Sequence, residues 1–320
     1  MFSFLRILTA LLLFFTGTAA WAAEEIPDPQ VVKAALEKSD YPSLQALHDT
    51  LLAQVKKDPE DESLFNYYKD LATVENIPRL KKWSQHDQDS YIPWTALGDA
   101  LIKKGWEYRG TDVSSKVPKD MWKPFKDCLA EAQIYLEKAE AMKADDPYPY
   151  NFLMVIGKTQ CRAKFIMKKY LVEALQACPG NGDAKLTIAV YYSPMWCGSA
   201  EDMSQFVAEY GKTAPPGAWA RLLTVVYHQE ILKTKKWSVA YISKPEVWGD
   251  VSREFKTYLT HHPEDLSARS WYSYWAYWSK HYKEAKEQFD ILGDHWQSNN
   301  GYWSEKAFKE AKARTEIRLR

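Results

Sequence analysis

Helical spacing dominates the sequence, and small residues and prolines recur within it at regular intervals. Apolar side chains three and four positions apart occur throughout, whereas strand-like alternation is hard to find. Ala285 and Phe289 are four residues apart. Ala132, Leu136 and Ala139 share one helical face in the same way. Small residues let paired helices approach closely, and a proline ends one pair and begins the next. The spacing therefore predicts an all-α fold built from antiparallel helix pairs.

Several segments match the two helices of a tetratricopeptide repeat. The segment 94–101 fits the first-helix pattern W-x2-L-G-x2-Y, with Leu101 in the place of tyrosine. Ala174 and Pro179 fit the second helix and the proline after it. We predict helix pairs at 29–57, 61–86, 90–144, 147–178, 182–212, 216–262 and 264–294, and a capping helix at 303–319. A single tetratricopeptide-like α-solenoid over residues 23–320 follows.

Residues 1–22 have the composition of a signal peptide. Arg6 is their one charged residue, an apolar run follows at 7–15, and Ala-Trp-Ala at 20–22 fits a cleavage signal. The apolar run is too short to span a bilayer, and no later stretch is long and apolar enough to do so. We therefore expect cleavage before Ala23 and a soluble exported protein, periplasmic or secreted, that does not span the membrane.

The charge balance argues against a nucleic-acid partner. The chain has 42 basic and 42 acidic residues, and loss of the predicted signal peptide removes only Arg6 from this balance. Proteins that bind nucleic acid carry a marked basic excess, because they neutralise backbone phosphates. The composition thus favours a partner other than DNA or RNA.

The segment 191–203 has the features of a sharp corner between two helices. Pro194 disfavours a helical conformation at the residue before it, and Gly198 tolerates a strained backbone. Ser199, with an acidic residue three positions later, resembles a capping box at a helix start. Trp196 is expected to pack the turn down. Two interpretations stay open: a structural corner made by Pro194, Trp196, Gly198 and Ser199, or a binding corner with Trp196 half exposed.

Three short segments of the chain form a recognisable combination of motifs. They are Ser-Asp-Tyr-Pro-Ser-Leu at 39–44, Trp-Glu-Tyr-Arg-Gly at 106–110 and Pro-x-Trp-x-Gly-Ser at 194–199. Together they resemble a bacterial family of tetratricopeptide-like proteins that carries a domain of unknown function, with an R-G segment after a helix and a P-x-W-G-G-S corner. The resemblance covers residues 30–295, with Cys197 where the first glycine of the family's corner falls. It implies a helical repeat fold and no established activity.

Two predicted connections between the helices of a pair, 105–119 and 234–249, are abnormally long. Loops of this length in a compact repeat are usually functional or disordered, and their aromatic content argues against disorder. With the corner, they should place tryptophans on one edge of the solenoid. Aromatic and arginine side chains anchor binding surfaces, although these residues could equally pin the loops onto the helices. The candidate binding residues are Trp106, Arg109, Trp196, Trp237 and Trp248.

A further candidate lies in the aromatic segment 271–282. At helical spacing its large side chains form one stripe, made by Trp271, Tyr274, Trp275, Trp278 and Tyr282. A stripe of this kind is typical of a core. The surplus aromatic surface is expected to line the concave face, where helical repeats bind partners. Trp275 is therefore included among the candidate binding residues.

Four cysteines in an exported chain indicate oxidising conditions and possible disulfides. Cys128, Cys161 and Cys197 are separated by about one repeat, so we expect all three near the same edge. Cys178 lies at the other end of its helix, about 20 Å or more from Cys161, which is too far for a bond. Two pairings stay open, Cys161–Cys197 and Cys128–Cys161, as do buried thiols. No C-x2-C or H-x3-H spacing occurs, so we predict no metal site.

Searches for linear catalytic motifs find none in this sequence. The patterns G-x-S-x-G, H-E-x-x-H, G-x-x-x-x-G-K-[ST] and G-x-G-x-x-G are absent. The carboxylate pair of a glycosidase leaves no linear signature, so an enzyme is not excluded. We expect no catalytic residue and no cofactor.

The leading functional hypothesis is an exported, non-catalytic binding or scaffold protein that recognises a protein or peptide partner in the cell envelope. It rests on the repeat pattern, the aromatic connections and the lack of catalytic motifs. Two alternatives stay open. One is a cell-wall glycan-binding module or glycan-active enzyme that uses the loop tryptophans and carboxylates. The other is a structural spacer.

Overall fold

A computed structural model describes residues 28–58, 61–112, 114–142, 145–295 and 302–320. Within these ranges the chain forms sixteen α-helices and no strand, so the predicted all-α class is confirmed. The described residues divide into two compact units. The N-terminal unit ends at Tyr191, and the C-terminal unit runs from Tyr192 to Arg320.

The N-terminal unit contains nine helices. They are α1 Pro29–Glu37, α2 Tyr41–Lys57, α3 Ser63–Leu71, α4 Ile77–His86, α5 Tyr91–Arg109, α6 Trp122–Ala141, α7 Tyr148–Thr159, α8 Lys164–Ala177 and α9 Gly182–Tyr191. Most of these helices pack on the next helix along the chain. In addition α1 packs on α3, α5 on α7, and α7 on α9. Packing is therefore mainly between neighbours in sequence.

Local sequence explains where the first helices begin. The Asp28 carboxylate accepts a hydrogen bond from the Gln30 amide at the start of α1. The Asp40 carboxylate accepts one from the Ser43 amide at the start of α2, over 3.2 Å. Each bond satisfies an amide that has no partner inside the helix, and a proline in the first turn has no amide to satisfy.

Helices α5 and α6 form the most extensive helix–helix contact of the N-terminal unit. A Cβ at Gly98 would lie 2.5 Å from Leu136 Cγ, and one at Gly105 would lie 3.2 Å from Cys128 Cβ. Glycine at these positions of α5 lets α6 approach closely. The packing favours a continuous helix through Gly105, so α5 extends to Arg109. Trp106 and Arg109 lie on its last turn and not in a loop, which corrects the predicted connection 105–119.

The C-terminal unit contains seven helices. They are α10 Ala200–Tyr210, α11 Leu223–Thr234, α12 Val239–Ile242, α13 Pro245–His261, α14 Leu266–Trp278, α15 Tyr282–Leu292 and α16 Glu305–Leu319. Successive long helices pack on one another, and the short α12 packs on α13 and α14. Pro245 in the first turn starts α13 early. Trp248 therefore lies on a helix, which corrects the predicted connection 234–249.

One kind of turn closes four helices, namely α1, α7, α11 and α14. The residue after each C-cap has a positive φ, as seen for Ser39 (57°), Cys161 (48°), Lys236 (52°) and Lys280 (67°). The next amide then donates to the carbonyl five residues earlier, from Asp40 to Ala35, Arg162 to Gly157, Trp237 to Leu232 and His281 to Ala276. This arrangement is a Schellman motif. The four helices are the first members of predicted pairs, so the turn recurs at equivalent positions.

The cysteines fall into two classes. Cys161 and Cys197 are disulfide-bonded, whereas Cys128 and Cys178 are buried thiols. Burial raises the pKa of the Cys128 thiol. The alternative pairing through Cys128 does not occur, because this side chain is buried where α6 packs against α5.

The predicted signal peptide, 1–22, lies outside the described residues, so its assignment stays a prediction. Among the helices of the described ranges, none combines the length and the apolar character needed to cross a bilayer. The capping helix predicted at 303–319 corresponds to α16. The assignment of all helix pairs to one solenoid also stays a prediction.

Candidate functional site

A shallow apolar pocket in the C-terminal unit lies where α11 and α14 end. We call it the aromatic pocket. It is lined by Leu232, Trp237, Val239, Ile242, Tyr274, Trp275 and Trp278. One wall comes from α11 and the turn after it, one from α12, and one from α14. Its lining is aromatic and aliphatic, like that of pockets that bind ligands, but its free volume is only about 20 Å³, so a partner's side chain can only pack across its mouth.

The turn after α11 places Trp237 in the pocket wall. Lys236 and Trp237 both have a positive φ, 52° and 59°. The Trp237 amide donates to the Leu232 carbonyl over 3.0 Å. A Schellman turn commonly brings its last residue against an apolar residue in the last helical turn, and here both residues line the pocket. The left-handed conformation costs about 1–2 kcal/mol for each non-glycine residue, so the surrounding packing must stabilise this turn.

Helix α14 forms one wall of the pocket, and aromatic side chains from elsewhere in the unit pack behind it. Trp275 is only 2% exposed. The Tyr274 ring lies 5.3 Å from that of Trp303 and 5.5 Å from that of Tyr302. The Trp303 indole donates to Ser273 Oγ over 2.9 Å. Burial raises the pKa of Tyr274 to about 12, so its hydroxyl is neutral at physiological pH. This wall is therefore uncharged, and Tyr302 and Trp303 pack against it.

A hydrogen-bonded chain positions α12, which supplies the third wall. His228 Nδ1 lies 2.9 Å from the Tyr241 hydroxyl, and His228 Nε2 lies 3.4 Å from Asp250 Oδ2. Burial lowers the pKa of His228. Burial alone raises the pKa of Asp250, but hydrogen bonds from Arg253 and His228 outweigh it and lower that pKa. A neutral imidazole can thus accept from Tyr241 and donate to Asp250, which links α12 to α11 and α13.

Two further polar residues of α11 are buried in the core of the unit. Gln229 Oε1 accepts from the Trp271 indole over 3.1 Å and from the Tyr302 hydroxyl over 3.2 Å. The fully buried carboxylate of Glu230 pairs with Lys233 in the next turn. Successive side chains of a helix point in different directions, so α11 makes polar contacts on several sides. The helix that carries one wall of the pocket is therefore held firmly.

The structure brings together two of the predicted binding residues and separates a third. Trp237 and Trp275 line the aromatic pocket. Trp248 does not, because it is buried on α13 and stacks on His281 with ring centroids 4.0 Å apart and planes 8° apart. The loss of the predicted loop explains this placement, since a helical Trp248 faces its packing neighbours. We find no sequence signal that would have separated Trp248 from the other two.

Sequence reasoning missed the aliphatic half of the pocket and its hydrogen-bonded support. Val239 and Ile242 are three residues apart, but a single pair at this spacing is too short to predict a helix. The chain through His228, Tyr241 and Asp250 could not be found either, because its members are separated in sequence and no linear spacing relates them.

The corner at 191–203 is organised by its backbone. The amides of Trp196 and Gly198 donate to the Ser193 carbonyl over 3.0 and 3.3 Å. The Ser199 hydroxyl accepts from the amide three residues later and caps α10. A Cβ at Gly198 would lie 2.3 Å from the carbonyl oxygen six residues earlier, so only glycine fits. Pro194 is exposed and Trp196 is half-buried. These contacts show how the backbone forms the corner; Trp196 is half exposed, as the binding interpretation expects, so both interpretations stay predictions.

Trp106 and Arg109 form a separate aromatic cluster in the N-terminal unit. The guanidinium carbon of Arg109 lies 5.3 Å from the Trp106 ring centroid and 5.9 Å from that of Trp122. Its nitrogen donates to the carbonyls of Gly110 and Asp112. Burial lowers the pKa of Arg109. Cation–π contacts and backbone hydrogen bonds thus hold the guanidinium at the C-terminal end of α5.

A second polar cluster in the N-terminal unit is completely buried. His48 Nε2 lies 2.9 Å from Asp146 Oδ2, and the Tyr68 hydroxyl donates to the same oxygen over 2.7 Å. The Tyr148 amide donates to the other carboxylate oxygen over 2.8 Å. His48 and Asp146 have no solvent exposure, so no substrate can reach them. We interpret this cluster as a structural link between α2, α3 and the start of α7.

No protein-family model and no curated protein matches this chain. Among the described side chains, no group of three or more His, Cys, Asp or Glu residues is placed to hold a metal ion. Function must therefore be argued from the geometry of the aromatic pocket.

Proposed function

We propose that the protein is an exported, non-catalytic helical-repeat protein that binds a protein or peptide partner in the cell envelope. The aromatic pocket is the observation that carries this proposal. Tryptophan is among the residue types that contribute most to binding at interfaces, and Trp237, Trp275 and Trp278 meet in this pocket. The composition of residues 1–22 supports export.

A solenoid of tetratricopeptide-like pairs is the architecture we propose for this function. Packing between sequence neighbours within each unit supports it. The Schellman turn that recurs after α1, α7, α11 and α14 supports it as well, because a repeat reuses the same connection at equivalent positions. Solenoids of this kind bind extended partners along the surface that successive pairs create.

Burial and exposure in the pocket favour an apolar peptide side chain over a glycan. Sugars stack on open ring faces, and Trp275 is almost completely covered. Val239 is 38% exposed, and an apolar side chain packed against it would remove that surface from water.

The proposal is tested by capture from an envelope extract. We would compare the wild-type chain with Trp237→Ala and with Trp106→Ala, a tryptophan in the other unit, after verifying each fold by circular dichroism. We expect the wild type and Trp106→Ala to capture the same protein. We expect Trp237→Ala to lose about tenfold or more of its affinity, as the loss of a tryptophan anchor commonly does.

Each alternative function predicts a different outcome of this experiment. Equal capture by all three chains would move the binding site away from the pocket. Capture of a glycan without protein would favour the cell-wall alternative. A folded wild-type chain that captures nothing would contradict the proposal and favour a structural spacer.

A further inference from the structure

Within two positions of the residues that line the aromatic pocket, every exposed charge is positive. Lys235 and Lys236 directly precede Trp237, Lys244 follows α12, and Lys280 follows α14. The one acidic residue within two positions of a lining residue is Glu230, which is fully buried and forms an ion pair with Lys233 on the same helix. Lys244 lies 3.8 Å from Glu246. Within the described residues, the other three lysines have no ion-pair partner.

Two of these lysines occupy the left-handed position of a Schellman turn. Lys236 follows α11 with φ 52°, and Lys280 follows α14 with φ 67°. Glycine is the residue that adopts this conformation without strain. The turns therefore present lysine where the backbone alone would favour glycine.

Capping of the helix ends does not explain these two lysines. The Lys236 and Trp237 amides already donate to the last carbonyls of α11, and the Lys280 and His281 amides do the same for α14. A lysine near a helix C-terminus interacts favourably with the helix dipole, but the effect is only about 0.3–1 kcal/mol when exposed. That gain does not exceed the cost of about 1–2 kcal/mol for a non-glycine residue in this conformation.

We infer that the exposed rim of the aromatic pocket, formed by Trp237, Val239 and Trp278, binds an acidic peptide segment that carries one apolar side chain. This inference rests on the proposed function and names the chemistry of its partner. The apolar side chain packs against Trp237, Val239 and Trp278, and carboxylates on either side of it meet Lys236 and Lys280.

The physical chemistry of this surface predicts how binding should respond to salt and sequence. Lys236 and Lys280 are in contact with solvent, so each contributes a modest, screened attraction. Affinity should therefore fall as salt is raised. The apolar side chain should contribute more than any single charge, because its contribution comes from burial and is not screened.

The test is fluorescence anisotropy with three labelled octapeptides and the full chain. The first peptide is acidic with a central phenylalanine, the second is acidic with a central serine, and the third has lysines around the central phenylalanine. We expect the first to bind. We expect the other two to bind at least about tenfold more weakly, because each lacks one half of the recognition.

The charge variant is Lys236→Gly/Lys280→Gly, which removes both charges and suits the left-handed backbone at both turns. We expect it to remain folded, to bind the first peptide about 3- to 10-fold more weakly, and to lose part of the salt dependence. The matched control is Lys33→Gln/Lys38→Gln, which removes two exposed charges around the equivalent turn after α1. We expect this control to bind like the wild type.

A pocket variant that keeps the core intact is Val239→Ser, since this side chain is already partly exposed. It should weaken the first peptide and leave the second unchanged. The inference is overturned if the acidic and basic phenylalanine peptides bind equally, or if the serine peptide binds as well as the phenylalanine peptide. It is also overturned if no peptide binds. In each case the proposed function is judged separately, by whether Trp237→Ala abolishes capture from the envelope extract.

Discussion

Each unit of the protein contains a buried histidine bonded to an aspartate, but the two clusters differ in access to solvent. In the N-terminal unit His48 and Asp146 are both fully buried. In the C-terminal unit His228 is nearly buried, whereas the Asp250 side chain is 35% exposed. His228 also bonds Tyr241, on the short helix that lines the aromatic pocket. Similar residues therefore occupy two settings, a sealed link between helices in one unit and the support of the helix that lines the aromatic pocket in the other.

The two clusters show that solvent exposure, and not residue identity, distinguishes a sealed polar cluster from one that can affect binding. A sealed cluster contributes to stability, and its disruption leaves buried polar groups without partners. A cluster that opens to solvent can replace a lost partner with water, so its disruption costs less. Four predictions test this difference between the two clusters.

The largest expected effect is that of Asp146→Ala. This change leaves the buried His48, Tyr68 and the Tyr148 amide without their common acceptor. We expect a loss of about 3–5 kcal/mol in the free energy of unfolding, measured by urea denaturation. The matched change Asp250→Ala should cost about 1 kcal/mol or less, because water reaches that site. Equal losses would show that the two clusters do not differ as described.

A smaller effect is expected from Tyr241→Phe. The change removes one hydrogen bond to His228 and should lower the free energy of unfolding by about 1 kcal/mol. It also loosens α12, so the affinity for the acidic phenylalanine peptide should fall as well. Urea denaturation and fluorescence anisotropy measure the two effects. Lower stability with unchanged affinity would mean that α12 is positioned by its apolar contacts alone.

Stability should also depend on pH through the histidines of the C-terminal unit. Burial lowers the pKa of His228 and of His281 below the ordinary value of 6.5. The unfolded chain therefore binds more protons than the folded chain as the pH falls. This contribution to stability is fully present above about pH 6.5 and is lost as the pH falls through the folded pKa values.

Urea denaturation at several pH values measures this slope. Tyr241 and Asp250 bond His228, and Lys212 and Arg253 contribute positive charge near it. The double variant His228→Gln/His281→Gln should show a shallower decline between pH 7 and pH 5 than the wild type. An unchanged slope would assign the pH dependence to other groups.

The smallest effect is expected at the Schellman turns. Glycine at position 236 or at position 39 relieves the left-handed conformation, while adding freedom to the unfolded chain. We expect Lys236→Gly and Ser39→Gly each to raise the free energy of unfolding by about 0.5 kcal/mol. Thermal denaturation measures the change. A loss of stability at position 236 alone would mean that the lysine contributes to the fold of this turn.

The helices themselves were largely predictable from sequence. The pair predicted at 61–86 corresponds to α3 and α4, and the pair predicted at 264–294 corresponds to α14 and α15. The prediction was poorest where a helix contained an unexpected residue. The sequence predicts that α5 ends at Gly105, but the close approach of α6 stabilises the helix through it. Such tolerance depends on a neighbour that the local sequence does not contain.

Sequence alone determined the helical class, the outer bounds of most helix pairs and the list of aromatic candidates, because apolar spacing, caps and prolines act within a few residues of the chain. Only the tertiary structure decided which candidates meet. Trp237 and Trp275 come together because a left-handed turn reverses the chain after α11, whereas Trp248 packs into the core on α13. The two histidine clusters join residues as many as 98 positions apart. Contacts of this kind depend on how helices pack, and no local pattern encodes them.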